Sequence, residues 1–362
     1  MKKLARVPKP MFLVCPLVLM AACATLDTLQ DQESVAQSVS IMTFNVENLF
    51  DNVDDPGKDD ATYLPLGAKQ NDAHIDACNE IEVESWRNSC LYLDWNDATI
   101  AHKLAVVAAA IKQVNQGRGP DIIAFQEVEN AAILDRLRSE YLGKSGYGRA
   151  ILIEGQDNRG IDVAFLSRLP VTGSPTLHPL KIDGFEDRIG DTRGVLEATF
   201  MLPDGSSLTG FAVHFPAPFH PTAMREAAYR HLATLRANVP NSLNVFAAGD
   251  FNTTSSEDAE KAMLDRFVRP AWIVAHDLCD GCPGTQYYAR DDAWSFLDMI
   301  LYSPSSSKKT TWSMRADSVQ IANQNPGQVQ APGIPLRYNA VERRGVSDHW
   351  PLLMRIESTA KQ

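Results

Sequence analysis

Six short stretches of this chain put carboxylates, amides and histidines at or beside apolar runs. Asn45, Glu47 and Asn48 follow Phe44, and Gln126 and Glu127 follow Phe125. His214 follows Val213, Asp250 and Asn252 flank Phe251, and Ser347, Asp348 and His349 precede the run that starts at Pro351. Asp298 interrupts the apolar stretch 295–300. Singly, each has a plain structural use. Asp298 would serve as a buried acceptor, His214 as a packing histidine, Glu127 as a helix cap and Asp250-Phe251-Asn252 as part of a turn. Together they supply hard oxygen ligands and proton carriers, the set that metal-assisted phosphate hydrolysis requires.

Such residues need a rigid frame that brings strand ends together. Residues 40–44, 121–125, 161–166, 194–200, 207–213, 243–248, 296–302 and 351–356 read as strands. Ile100, Leu104, Val107, Ile111 and Val114 recur at helical spacing behind Asn96 or Asp97 as cap, and Gly117 and Gly119 end that helix. Residues 131–141 and 221–238 read as further helices. Strands with helices between them predict layered sheets covered by helices. Between them, 51–98 breaks the pattern with twelve acids, three bases and repeated Pro and Gly. We read it as a surface insertion. Its Asp54-Asp55 and Asp59-Asp60 pairs suit calcium, although a solvated acidic loop is the simpler expectation.

The chain has 362 residues, 44% hydrophobic, with 34 bases against 45 acids. It can bury a large core, and its body holds no apolar run long enough for a polytopic membrane protein. The acidity argues against a nucleic-acid grip through broad basic surfaces. Arg225, Arg230 and Arg236 on one helix offer a local basic patch, a solvated face being the simpler reading.

Lys2, Lys3, Arg6 and Lys9 precede an apolar stretch at 11–22 that ends Ala21-Ala22-Cys23. We read 1–22 as a signal peptide, Cys23 as the lipidated first mature residue, 23–38 as a tether and 39–358 as a single domain. Cleavage near Ala22 without lipidation is the alternative. Export places Cys78, Cys90, Cys279 and Cys282 in an oxidising compartment, where proximity favours Cys78–Cys90 and Cys279–Cys282. A metal site at His276 with Cys279 and Cys282 is the rival reading.

The ordered set Asn45-Val46-Glu47-Asn48, Gln126-Glu127, Val213-His214-Phe215, Gly249-Asp250-Phe251-Asn252, Phe296-Leu297-Asp298 and Ser347-Asp348-His349 resembles the endonuclease/exonuclease/phosphatase superfamily, the deoxyribonuclease-like fold. The likeness covers roughly 41–356, and 158–164 resembles the variant found in bacterial secreted members. It implies an α/β fold, a four-layer sandwich of two mixed β-sheets face to face flanked by helices. It implies Mg2+, with Mn2+ or Ca2+ as substitutes, on Glu127 and Asn45, and Asp348 ligating directly or through water. Asp250 would orient and deprotonate the attacking water. Asn252 would hold a phosphate oxygen or position Asp250. His214 would donate to the phosphate or protonate the leaving oxygen. His349 would be the second transition-state histidine, oriented by Asp298. Arg159 and Arg193 are candidate phosphate contacts, with surface ion pairs as the alternative.

The activity implied is that of a metal-dependent phosphodiester hydrolase, an extracytoplasmic endonuclease acting on DNA or RNA. Nucleic acid is then the substrate, and the membrane is met only through the lipid anchor. The protein would sit in the bacterial envelope, at the outer membrane or cell surface, or be periplasmic or secreted if Cys23 is unmodified. The alternative substrate is a lipid or inositol phosphate, for which Trp86, Tyr92 and Trp95 could form an apolar landing surface, although packing of the insertion is the simpler role for them. A non-catalytic binding lipoprotein of the same fold is the third reading. No protein partner is inferable.

Overall fold

The first strand begins earlier and ends later than the apolar run at 40–44 suggests. It spans Ser38–Leu49, so residue 38, expected to close the tether, lies in the strand. The computed structural model describes residues 37–307 and 311–359; the expected signal peptide, Cys23 and the expected tether through residue 36 lie outside the described residues.

In chain order the strands are β1 (Ser38–Leu49), β2 (Ile122–Val128), β3 (Ile151–Leu152), β4 (Asp162–Ser167), β5 (Val171–His178), β6 (Val195–Met201), β7 (Ser207–His214) and β8 (Asn244–Asp250). They continue as β9 (Ile273–Val274), β10 (Gln286–Tyr288), β11 (Ala293–Ser295), β12 (Asp298–Ser303), β13 (Thr311–Met314), β14 (Gln320–Ile321), β15 (Val329–Gln330), β16 (Ile334–Pro335) and β17 (Leu352–Thr359). The helices are α1 (Asp72–Asn79), α2 (Glu84–Tyr92), α3 (Asp97–Lys112), α4 (Ala131–Arg136), α5 (Thr222–Asn238), α6 (Ser255–Lys261) and α7 (Met263–Phe267). Asn96 caps α3 by accepting from the backbone N–H groups of Ala98 and Thr99.

One sheet runs β13-β17-β1-β2-β4-β3, with β14 also on β17; the other runs β5-β6-β7-β8-β12-β9. Each is mixed, because β1 and β2 are parallel in the first and β7 and β8 in the second. Ile41, Ala124 and Phe165 from one sheet share a core with Leu196, Phe200, Phe246 and Ile300 from the other, so the sheets pack face to face. Met42, Phe44 and Val46 face the opposite way, onto Ile100, Leu104 and Ile111 of α3. Phe211 and Val245 likewise face Met224, Ala228 and Leu232 of α5. Both faces of each central strand are therefore covered, which is why these strands read as continuous apolar runs rather than alternating ones. The result is the expected four-layer sandwich.

The edges were harder to anticipate. β5, rich in Thr and interrupted by Gly173 and Pro175, is mostly exposed and carries no apolar run. Asp298 does not interrupt a strand; it opens β12, after a break at Phe296 and Leu297. The insertion is no simple solvated loop. It contains α1 and α2, joined by a Cys78–Cys90 disulfide. Tyr63 stacks on Phe50 at 3.9 Å, and Lys69 is buried, donating to the carbonyls of Thr62 and Leu93 at 2.6 and 2.8 Å. Trp95 is buried and donates to Phe50 O, whereas Trp86 and Tyr92 stay 64% and 67% exposed, so only one of the three aromatics packs the insertion down.

Cys279 and Cys282 also form a disulfide, and His276 stacks on Phe296 at 4.4 Å, so the rival metal reading at that loop does not hold. The arginines of α5 do not form a patch: Arg230 alone is exposed, on a solvated face, while the other two point inward. Arg225 is buried against Glu257, and Arg236 is buried, donating to Val239 O and Ser303 Oγ. Among the described residues no helix is long and apolar enough to cross a membrane.

Candidate active site

Two parallel strand pairs build the site, β1 with β2 across α3 and β7 with β8 across α5. Their carboxyl ends meet through one side chain. Asn45 Nδ2 stands 3.2 Å from Glu127 Oε1 and 3.1 Å from Asp250 Oδ2, so it donates across the gap between the sheets. On the second sheet His214, Asp250 and Asp298 lie level on three neighbouring strands. Ser347 Oγ donates to Asn45 O at 2.7 Å and accepts from His349 N at 3.0 Å, which docks the segment before β17 onto the end of β1. Residues scattered from 45 to 349 thus converge.

The local backbone is unusual at these points. Register between β1 and β2 shifts after Asn45, and Glu47 and Asn48 adopt φ of 51° and 60°. Glu127 and Asn252 sit at 62° and 51°. Left-handed backbone costs a non-glycine residue on the order of 1 kcal/mol or more, and its gathering here is the strain expected of a functional site. The turn at Asn48 sends its N–H to Glu127 Oε2 at 3.1 Å. That at Asn252 sends its N–H to Asp250 Oδ1 at 2.9 Å.

The electrostatics divide the roles. Burial would raise the Glu127 carboxyl, but the positive charges of Arg159, His349 and Arg193 outweigh it and hold it at about 2. Burial pushes the Asp250 carboxyl up to about 7, the Asp298 charge adding to it while His349 opposes. Burial also works against a charged His349, yet Asp298, 2.6 Å from Nδ1, keeps that imidazole protonated well above its ordinary range. His214 goes the other way. Burial and the Arg193 charge lower it well below its ordinary range, so at neutral pH it is a neutral hydrogen-bonding group and carries no spare proton for a leaving oxygen. Its Nε2 is 3.6 Å from Asp250 Oδ2 and its buried Nδ1 has no partner among the described residues.

Other expected roles are narrowed. Asn252 positions Asp250 through its backbone, while its side chain donates to Phe215 O at 2.9 Å. Asn45 turns its amide nitrogen toward both carboxylates, and its Oδ1 accepts from Glu47 N at 3.0 Å, which leaves that oxygen one further acceptor position. Asp348 pairs with Arg337 Nη2 at 3.2 Å and donates through its own N–H to Glu47 Oε2. Arg159 and Arg193 are not surface pairs: Arg159 donates to Asn48 Oδ1 and faces Glu127, and Arg193 is buried 3.0 Å from Asp157 Oδ2.

Sequence reasoning missed Arg337, Lys103 and Asp157. Arg337 bridges Glu47, at 2.6 Å, and Asp348; Lys103 is buried in α3, donates to Val346 O and lies over the Tyr338 ring. None follows an apolar strand end. Only the lysine inside an otherwise apolar helical stripe gave a signal.

Among the described residues, single ligand atoms of Asp250, Asp298 and His349 lie within 4.8 Å of one another. That trio suits proton transfer better than a cation, because His349 and Asp298 already hold each other through a proton. Glu127 fits a divalent ion. It is ionised, its carboxylate lies beside Asn45 and Asn48, and one firm carboxylate with water and phosphate oxygens satisfies Mg2+.

The family model described as Endonuclease/Exonuclease/phosphatase family matches residues 42–349. The chain belongs to that family. Its members are hydrolases acting on phosphoester bonds, and they commonly use divalent metal ions. Solved structures of similar fold include an endonuclease/exonuclease/phosphatase from Beutenbergia cavernae, 16% identical, TM-score 0.53, covering 88% of this chain and 71% of that one. A family member from Bacteroides vulgatus is 17% identical, TM-score 0.53, with 89% and 100% covered. D. rerio TDP2 complexed with a single strand DNA product is 14% identical, TM-score 0.52, with 88% and 98% covered. No curated protein matches the sequence.

Proposed function

We propose that this family member is a Mg2+-dependent phosphodiester hydrolase that cleaves nucleic acid outside the cytoplasm. The observation that carries the reading is the Glu127–Asn45–Asp250 bridge, set beside the His349–Asp298 pair and flanked by Arg159 and Arg193. Mg2+ on Glu127, or Mn2+ or Ca2+ in its place, would act as a Lewis acid toward the scissile phosphate. Asp250, fixed by Asn45 and by the Asn252 N–H, accepts the proton of the attacking water. His349, protonated and held by Asp298, donates to a phosphate oxygen as negative charge grows in the transition state. Neutral His214 offers a hydrogen bond from the facing strand. Arg159 and Arg193 neutralise phosphate charge.

The DNA-bound D. rerio relative supports nucleic acid as the substrate class. The two disulfides support an oxidising compartment, in line with a signal peptide at 1–22 and lipidation at Cys23. The test is cleavage of plasmid DNA and RNA by purified protein, with bis-p-nitrophenyl phosphate, sphingomyelin and inositol phosphates alongside. Nucleic acid should be cut in a chelator-sensitive way, and Asp250→Asn should lose more than about a thousandfold in rate with an unchanged circular-dichroism spectrum. Preferred turnover of sphingomyelin or an inositol phosphate would instead place the substrate among lipids, where the exposed Trp86 and Tyr92 would find a use.

A further inference from the structure

We propose a second, calcium-class cation site, built by Asp55, Asp60 and Glu129, that clamps the acidic insertion onto the end of β2. One carboxylate oxygen from each of these residues lies within 4.8 Å of the others. Calcium binds oxygen at about 2.3–2.6 Å, so two ligands on opposite sides of the ion stand about 4.6–5.2 Å apart. A single ion can therefore reach all three.

Clusters of acids are common on surfaces, but this one is not on the surface. Asp60 and Glu129 are 2% and 3% exposed. Asp60 spends Oδ2 on the Asp55 N–H at 2.9 Å, while its Oδ1 is buried with no hydrogen-bond donor among the described residues. A buried carboxylate oxygen without a donor costs folding free energy unless something positive meets it. No lysine or arginine forms an ion pair with Asp55, Asp60 or Glu129 among the described residues; the nearby Lys58 spends its ammonium on Asp157 O. A cation supplies the missing partner.

The surrounding hydrogen bonds preform the cradle rather than fill it. Asp51 N–H donates to Glu129 Oε2 at 2.6 Å, and Asn130 Nδ2 donates to both Asp51 Oδ2 and Glu129 Oε2. The ligands come from the insertion and from the residue just past β2. Three carboxylates in a loop suit Ca2+, which accepts irregular oxygen shells, better than Mg2+, which keeps most of its water. Glu129 follows Glu127 by two residues and Asp51 follows Asn48 by three. The bound ion thus ties down both backbone stretches that frame the catalytic carboxylate. The site is independent of what the protein cleaves.

The test is calorimetric titration of the purified protein with Ca2+ in saturating Mg2+, with Tb3+ luminescence excited through Tyr63 and Trp95 as a second readout. Tyr63 N–H donates to Asp60 O, and Trp95 meets Tyr63 edge-on at 5.3 Å, so both chromophores adjoin the site. Wild type and Glu127→Gln should each bind one Ca2+, with a melting rise of about 3–5 °C at a hundredfold excess over Kd. Asp60→Asn should lose the binding, the rise and the Tb3+ signal. Should Asp60→Asn fail to fold, Asp55→Asn, at a half-buried position, decides the matter by weakening Ca2+ at least tenfold. Absence of Ca2+ binding by wild type at millimolar concentration would overturn the site. So would binding lost in Glu127→Gln but kept in Asp60→Asn or Asp55→Asn.

Discussion

Asp298 Oδ2 lies 2.6 Å from His349 Nδ1, with Asp298 wholly inaccessible to solvent. The pair joins the start of β12 to the segment before β17 and keeps the imidazolium charged against the pull of burial. Asp298→Asn keeps the shape and removes the charge, so the His349 pKa falls. The alkaline limb of the kcat/KM profile should move to lower pH, with a loss of about a hundredfold at pH 8 and a smaller one at pH 6. A purely structural Asp298 would lower the profile without moving the limb. Stability should follow the same group. A histidine with a raised folded pKa stabilises fully below its unfolded value near 6.5 and loses that contribution as pH rises through the folded pKa. Melting curves of wild type should show this loss above neutrality, and those of Asp298→Asn should not.

Asp250 sets the opposite limb. Burial and the Asp298 charge push it up to about 7, and only its ionised form accepts a proton from water. Activity should therefore rise with pH through the neutral range. Asp298→Asn, by removing a neighbouring negative charge, should also shift this acid limb downward. A pH–rate profile in which both limbs of the variant move to lower pH is the expected signature. An acid limb that stays fixed would show that Asp250 does not control it.

How far the sequence revealed this site depends on burial. β1, β2, β7 and β8 are covered on both faces, so they stand out as apolar runs, and the polar residues that end them are conspicuous. Glu127, His214 and Asp250 were legible for that reason. Arg337 was not, because it lies in the loop before Asp348, where polar residues are ordinary, and only the fold brings it against Glu47. Asn45 was legible as a member of the site, but the direction its amide faces was not, since an amide can face a cation with oxygen or a carboxylate with nitrogen. The two neighbouring carboxylates decide that orientation. The edge strand β5 escaped because exposure removed the apolar signal.

Arg159 donates to Asn48 Oδ1 and is the strongest of the positive groups that hold Glu127 ionised. Arg159→Met should separate two functions. Loss of a guanidinium from the phosphate should raise KM by about 10–100-fold, the range for a hydrogen bond to a charged group. Loss of a like charge near the divalent ion should leave the activating Mg2+ concentration unchanged or lower it. A variant that needs more Mg2+ would show that Arg159 supports the metal site rather than the substrate.

Gly249 makes the placement of Asp250 possible. It pairs with Val213 on the parallel strand, and a Cβ built on it would stand 1.9 Å from Val213 O and 2.8 Å from Val213 C. Both atoms are backbone in the middle of a sheet, so neither can rotate away. Alanine must part β7 from β8, and the next residues on those strands are His214 and Asp250. Gly249→Ala should cost about 3 kcal/mol or more, read as a lower urea midpoint. Activity should fall in whatever fraction still folds, although no site side chain has changed. Gly143→Ala is the control: nothing lies within 4 Å of a Cβ there, and the effect should stay within about 0.5 kcal/mol. If both variants melted alike, the close approach of the two strands would not be what fixes the catalytic carboxylate.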